Sequence, residues 1–185
     1  MSMQAILQVV CAALHDARIP FMLTGSVAAA FHGASRATMD IDVVIDPVEA
    51  QLEVFVGIIE CTGAYVSRDA AREALQHRTM FNVVDTESGW KVDLMIRKDR
   101  AFSTTELERR EAADVFGVAL AIATLEDVIL SKLEWAKLGA SARQLEDVRT
   151  LLRLRGEDVD TAYIERWLDA LGIRSQWTAV STSVP

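Results

Sequence analysis

Two aspartates separated by one residue, Asp40 and Asp42, and a third, Asp93, carry the chemistry that this sequence makes available. In an extended segment alternate side chains share a face, so Asp40 and Asp42 project to the same side, roughly 7 Å apart along the strand. Their flanks, Ile41, Val43, Val44 and Ile45, form a β-branched run suited to a buried strand. Carboxylates at the end of an apolar strand are costly to leave unpaired, and a divalent cation with oxygen ligands, Mg²⁺ above all, is the usual remedy. Asp93 lies in a second strand-like segment, Trp90-Lys91-Val92-Asp93-Leu94-Met95-Ile96. If that strand lies beside the first, three carboxylates can hold two Mg²⁺ about 3.5–4 Å apart, the equipment of in-line phosphoryl or nucleotidyl transfer.

The elements that must position these residues are readable nearby. Ile19 to Thr24 predicts a short first strand, and Gly25-Ser26 turns the chain into an alanine-rich helix ending near Gly33. Thirteen residues separate Ser26 from Asp40. Met80 to Asp85 reads as a strand, and the turn cluster Thr86-Glu87-Ser88-Gly89 predicts an antiparallel hairpin with the Asp93 strand.

Gly25-Ser26, Asp40-x-Asp42 and Asp93, in this order, resemble the signature of the nucleotidyltransferase superfamily that includes DNA polymerase beta and the minimal bacterial nucleotidyltransferases. The stretch from His32 to Asp42, with Arg36 and Thr38, is similar to the version in bacterial abortive-infection-type toxins. Thr124 to Leu133 and Arg143 to Val148 look like the helices those proteins carry after the catalytic sheet, so the resemblance runs from about residue 20 to 170. It implies an α+β fold: a small mixed β-sheet flanked by helices, with a C-terminal helical subdomain.

The expected boundaries are 1–122 for the catalytic core, 123–175 for the helical subdomain and 176–185 for a disordered tail. The same resemblance implies that Asp40, Asp42 and Asp93 are catalytic and hold Mg²⁺, and that Gly25 and Ser26 meet the phosphates of a nucleoside triphosphate. Arg36 is either a phosphate clamp or the partner of a neighbouring carboxylate. Thr38 is a structural hydrogen-bond partner of the turn that could also face the nucleotide. Lys132 either reaches the triphosphate or sits on a helix surface.

The activity expected is transfer of a nucleoside monophosphate to a hydroxyl acceptor (protein, RNA or small molecule) with release of pyrophosphate. A toxin-like component of a defence or toxin–antitoxin module, and a catalytically silent nucleotide-binding module, are the alternatives. A homodimer or a cognate partner protein is compatible with the apolar helical half.

Composition narrows the partners. The 185 residues carry a formal net charge of −8, which disfavours a grip on long nucleic acid. Arg143, Arg149, Arg153 and Arg155 alternate with acidic residues and predict a solvated helix face. No apolar run approaches the roughly 20 residues of a membrane span. The start Met1-Ser2-Met3-Gln4 lacks a basic leader region, so the expected location is cytoplasmic. Cys11 and Cys61 read as small buried hydrophobes.

Helical periodicity predicts helices over 4–17, 47–61, 68–77, 125–138, 142–155 and 160–171, with Thr124 and Asp127 as a capping pair. Ser103 to Glu111 reads as a polar surface helix or loop, and Val115 to Ile122 as a single last strand. Trp135, Leu138, Leu145, Val148, Leu152, Trp167 and Leu171 are expected to pack inward.

Overall fold

The computed structural model describes residues 1–34, 38 and 40–182. Helix α1 (Met3–Asp16) leads into strand β1 (Phe21–Thr24), helix α2 (Gly25–Phe31) and strand β2 (Asp40–Ile45). Helix α3 (Glu49–Glu60), strand β3 (Tyr65–Val66), helix α4 (Arg68–His77) and the hairpin β4 (Met80–Val84) and β5 (Lys91–Ile96) follow. Then come α5 (Ala101–Arg109), the hairpin β6 (Glu111–Val115) and β7 (Val118–Ile122), and helices α6 (Leu125–Gly139), α7 (Ala142–Arg155), α8 (Thr161–Leu171) and α9 (Arg174–Ser181).

The strands form one mixed sheet in the order β3-β4-β5-β2-β1-β7-β6. β2 runs antiparallel to β1 and parallel to β5, which puts the two aspartate-bearing strands side by side at the centre. Register assigns the two faces. Phe81, Leu94, Val43, Leu23 and Ile122 are successive cross-strand partners and share one face. Phe55 of α3 meets Phe81 edge-on there, with ring centroids 6.4 Å apart. All six of these residues are buried. One residue along, Asn82, Asp93, Asp42 and Thr24 are partners in the same way and therefore share the opposite face. The alternation in β2, with Ile41, Val43 and Ile45 buried, is what drives the aspartates to that second face.

Several expectations need correction. The predicted last strand is a hairpin: Phe116 and Gly117 both take positive φ, 55° and 78°, and the Gly117 N–H bonds Asp114 Oδ1 at 2.8 Å. Its outer strand β6 is an exposed edge with no apolar alternation to reveal it. The expected surface helix at Ser103 to Glu111 is present as α5 and exposes Thr104 and Glu108, but its other face is buried through Phe102, Ser103, Glu106 and Leu107. Trp135 and Leu138 do not pack inward but are 49% and 63% exposed, because α6 turns its Val128-Ile129-Leu133-Ala136 face to the core instead. Cys61 caps the end of α3 in solvent, while Cys11 is buried and burial pushes its thiol up to about 12. The predicted tail from residue 176 instead continues α9 to Ser181, anchored by buried Trp177 and Val180.

No helix among the described residues is long and apolar enough to cross a membrane.

Candidate active site

The site begins at a glycine. β1 is buried along its whole length, and the chain leaves it at Thr24 to start α2 at Gly25, whose φ is +66°. A Cβ on Gly25 would lie 2.0 Å from Asp42 Oδ2, inside the carboxylate itself. Glycine is therefore demanded twice, by the left-handed backbone and by the approach of Asp42. The Ser26 N–H points at the same Asp42 Oδ2 at 3.4 Å, a long contact.

Strand pairing then sets the carboxylates. Asp42 and Asp93 face each other directly across the parallel β2–β5 ladder, and Asp40 faces Lys91. By strand parity Asp40, Asp42, Lys91 and Asp93 share one face. Asp93 is 6% exposed; its Oδ2 holds the Lys91 ammonium at 3.0 Å, and its buried Oδ1 has no hydrogen-bond partner among the described residues. The same ammonium lies 3.3 Å from Asp40 Oδ1. Burial raises the Asp42 carboxyl above the ordinary range, the negative charges of Asp93 and Asp40 raise it further, and the Ser26 N–H and Lys132 oppose them. A cation beside Asp42 would relieve that pressure.

The other sequence-predicted residues fall in different places. Thr38 Oγ1 donates to the Asp40 carbonyl at 3.1 Å and accepts from the Asp40 N–H at 3.2 Å, closing the turn that starts β2. Arg36 lies outside the described residues. Lys132 is not a helix-surface lysine: it is 2% exposed and bonds Asp147 at 2.7 Å and Gln144 at 3.0 Å. This pair ties α6 to α7 beside the carboxylates, and its charge reaches Asp42.

Gly25, Ser26, Asp42, Asp93 and Lys132 all line a cavity of about 280 Å³. The same lining includes residues to which the sequence drew no attention. Glu106, buried on α5, accepts from Ser131 Oγ at 3.3 Å, and burial with Asp127 nearby raises its carboxyl to about 7. Arg100 grips Glu134 through two bonds of 2.5 and 2.7 Å, and both residues line the cavity. A helical period would have put Glu106 on the face of Phe102 and Ser103, but the polar run around it concealed that face. Lys91 was legible by strand parity with Asp93.

Among the described residues no group of three or more His, Cys, Asp or Glu side chains converges as a ready-made metal site. The donor set nonetheless suits a hard divalent cation, since it is all carboxylate oxygen and one buried oxygen, Asp93 Oδ1, has no partner among the described residues. Lys91 supplies a positive charge between Asp40 and Asp93 in this structure.

No family model matches the chain, and no curated protein matches it. Solved structures do. ANT(2'')-Ia in complex with adenylyl-2''-tobramycin superposes with a TM-score of 0.58 at 15% identity, over 95% of this chain and 99% of that one. Lincomycin-bound LnuA, a lincosamide antibiotic adenylyltransferase, gives 0.53 at 10% identity over 82% and 96%. An antigenic nucleotidyltransferase-like protein from Paracoccidioides brasiliensis gives 0.54 at 12% identity over 82% and 75%. Over these shared lengths the backbones follow the same course, so the chain has the nucleotidyltransferase fold.

Proposed function

We propose that the protein is a divalent-metal-dependent nucleotidyltransferase that moves a nucleoside monophosphate from a nucleoside triphosphate to a hydroxyl of a small molecule. The observation that carries this reading is the abutment of Asp42 and Asp93 on adjacent strands in the wall of a cavity, with a buried Asp93 oxygen that has no hydrogen-bond partner among the described residues. Bound divalent cations would neutralise the triphosphate and acidify the attacking hydroxyl. Asp40, Asp42 and Asp93 would hold them.

The chain's own contribution is positional. Gly25 clears space for Asp42, and the first turn of α2, whose N–H groups lack intrahelical partners, opens on the cavity where phosphate oxygens would lie. The acceptor hydroxyl oxygen bonds to the α-phosphorus as the bond from that phosphorus to the α–β bridging oxygen breaks. Pyrophosphate leaves with the bonding electrons, and the hydroxyl proton passes to an Asp93 carboxylate oxygen. Residues 1–122 would form the catalytic core and 123–175 the helical subdomain, which contributes Val128, Ser131 and Lys132 to the cavity wall.

A small acceptor is favoured over long RNA by the cavity of about 280 Å³ and by the net charge of −8. ANT(2'')-Ia and LnuA are solved with an adenylylated antibiotic and an antibiotic respectively, which agrees with an acceptor of that size. The test is transfer of label from α-³²P nucleoside triphosphates to small-molecule fractions in the presence of Mg²⁺. Asp42→Asn and Asp93→Asn are each expected to lower the rate by about a thousandfold or more. Near-wild-type transfer by either variant would refute the assignment.

A further inference from the structure

Lys91 is the first residue of β5 and faces Asp40 directly across the parallel ladder, while Asp93 follows two residues on and projects to the same side. Its ammonium thus stands between two carboxylates, 3.3 Å from Asp40 Oδ1 and 3.0 Å from Asp93 Oδ2. These are two of the three groups assigned to metal, and the ammonium occupies the space between them. An ammonium and a divalent cation repel each other and compete for the same oxygens. The Lys91 side chain is 34% exposed, so its flexible stem can swing into solvent without breaking the core.

Resting on the metal-dependent reading above, we infer that Lys91 is a built-in counter-cation of the active site, which the metal must displace from Asp40 and Asp93 in order to bind. The lysine neutralises Asp40 and Asp93, diagonal neighbours on one face of β2 and β5, so the sheet closes without metal. The same contact sets how tightly metal is held. Loading is an exchange of one cation for another.

The experiment is Mn²⁺ titration of the full chain without nucleotide, followed by electron paramagnetic resonance, for wild type, Lys91→Met, Lys91→Gln and Lys91→Arg. Each is compared with a version that also carries Asp42→Asn. Thermal melts with and without Mn²⁺ accompany it. Lys91→Met and Lys91→Gln are expected to bind Mn²⁺ roughly tenfold more tightly than wild type, with Lys91→Arg close to wild type. In the melts, the two neutral variants should lose stability without metal and regain it with Mn²⁺, a pattern that a merely structural lysine would not produce. Binding that depends on Asp42 but is no tighter without the lysine overturns this inference and leaves the metal site standing. The absence of Asp42-dependent binding in every variant overturns both.

Discussion

At the scale of single residues, Gly25 is the most constrained position in the site. Alanine there meets a positive φ of 66° and a Cβ position 2.0 Å from Asp42 Oδ2. Gly25→Ala is expected to lower stability by about 1–3 kcal/mol, read by urea unfolding, and to reduce nucleotidyl transfer by displacing Asp42. A variant with unchanged unfolding and transfer would show that the turn is not under this constraint. The parity of a strand made Asp40 and Asp42 legible as a pair from sequence, and Gly25 legible as a turn. Parity could also place Lys91 with Asp93, but a lysine opening a strand looks like a solubilising residue until the neighbouring strand is known. Asp147, the partner of Lys132, was equally hidden, because the two meet only when α6 and α7 pack.

At the scale of elements, α8 is held to α6 by a buried polar contact rather than by apolar packing alone. The Tyr163 hydroxyl donates to Asp127 Oδ1 at 2.6 Å, and Thr124 Oγ1 donates to Asp127 Oδ2 at 2.7 Å. The expected capping pair of Thr124 and Asp127 is thus present, and it doubles as an anchor for another helix. Arg109 from α5 also reaches Asp127, and its guanidinium stacks 3.8 Å from the Tyr163 ring centroid. Tyr163→Phe keeps that stacking and removes only the hydroxyl, leaving Asp127 Oδ1 short of a donor. A loss of about 1.5–3 kcal/mol in urea unfolding is expected, and a loss below 0.5 kcal/mol would sink the anchoring role. Long helices were readable because their periodicity is strong, as α7 shows, with Val148, Leu151 and Leu152 buried as one face. The β6–β7 hairpin was not, because an exposed edge strand such as Glu111-Ala112-Ala113-Asp114 has no buried face to impose a pattern.

At the scale of the whole molecule, Glu106 makes stability depend on pH. Its carboxyl rises from an ordinary 4.5 to about 7 on folding, so between those values the folded chain binds more protons than the unfolded one. Stability from this group is therefore full below about pH 4.5 and is lost as pH rises through 7. Glu106→Gln is expected to be more stable than wild type at pH 8, by up to about 3 kcal/mol, with the advantage shrinking as pH falls towards 5. Parallel unfolding curves for the two proteins across this range would contradict the assignment. Sheet order was the largest feature that the sequence left open, since no local pattern states that residues 40–45 lie beside 91–96 rather than beside 80–84.

That same non-local pairing governs when the site comes into being during folding. β2 and β5 are separated along the chain by α3, β3, α4 and β4, and their parallel ladder forms only once this long loop has closed. A nascent chain that has emerged only through Trp90 contains Asp40 and Asp42 but nothing to oppose them. The strand that brings Asp93 against them begins with Lys91, so the step that creates the electrostatic conflict also delivers the charge that quiets it.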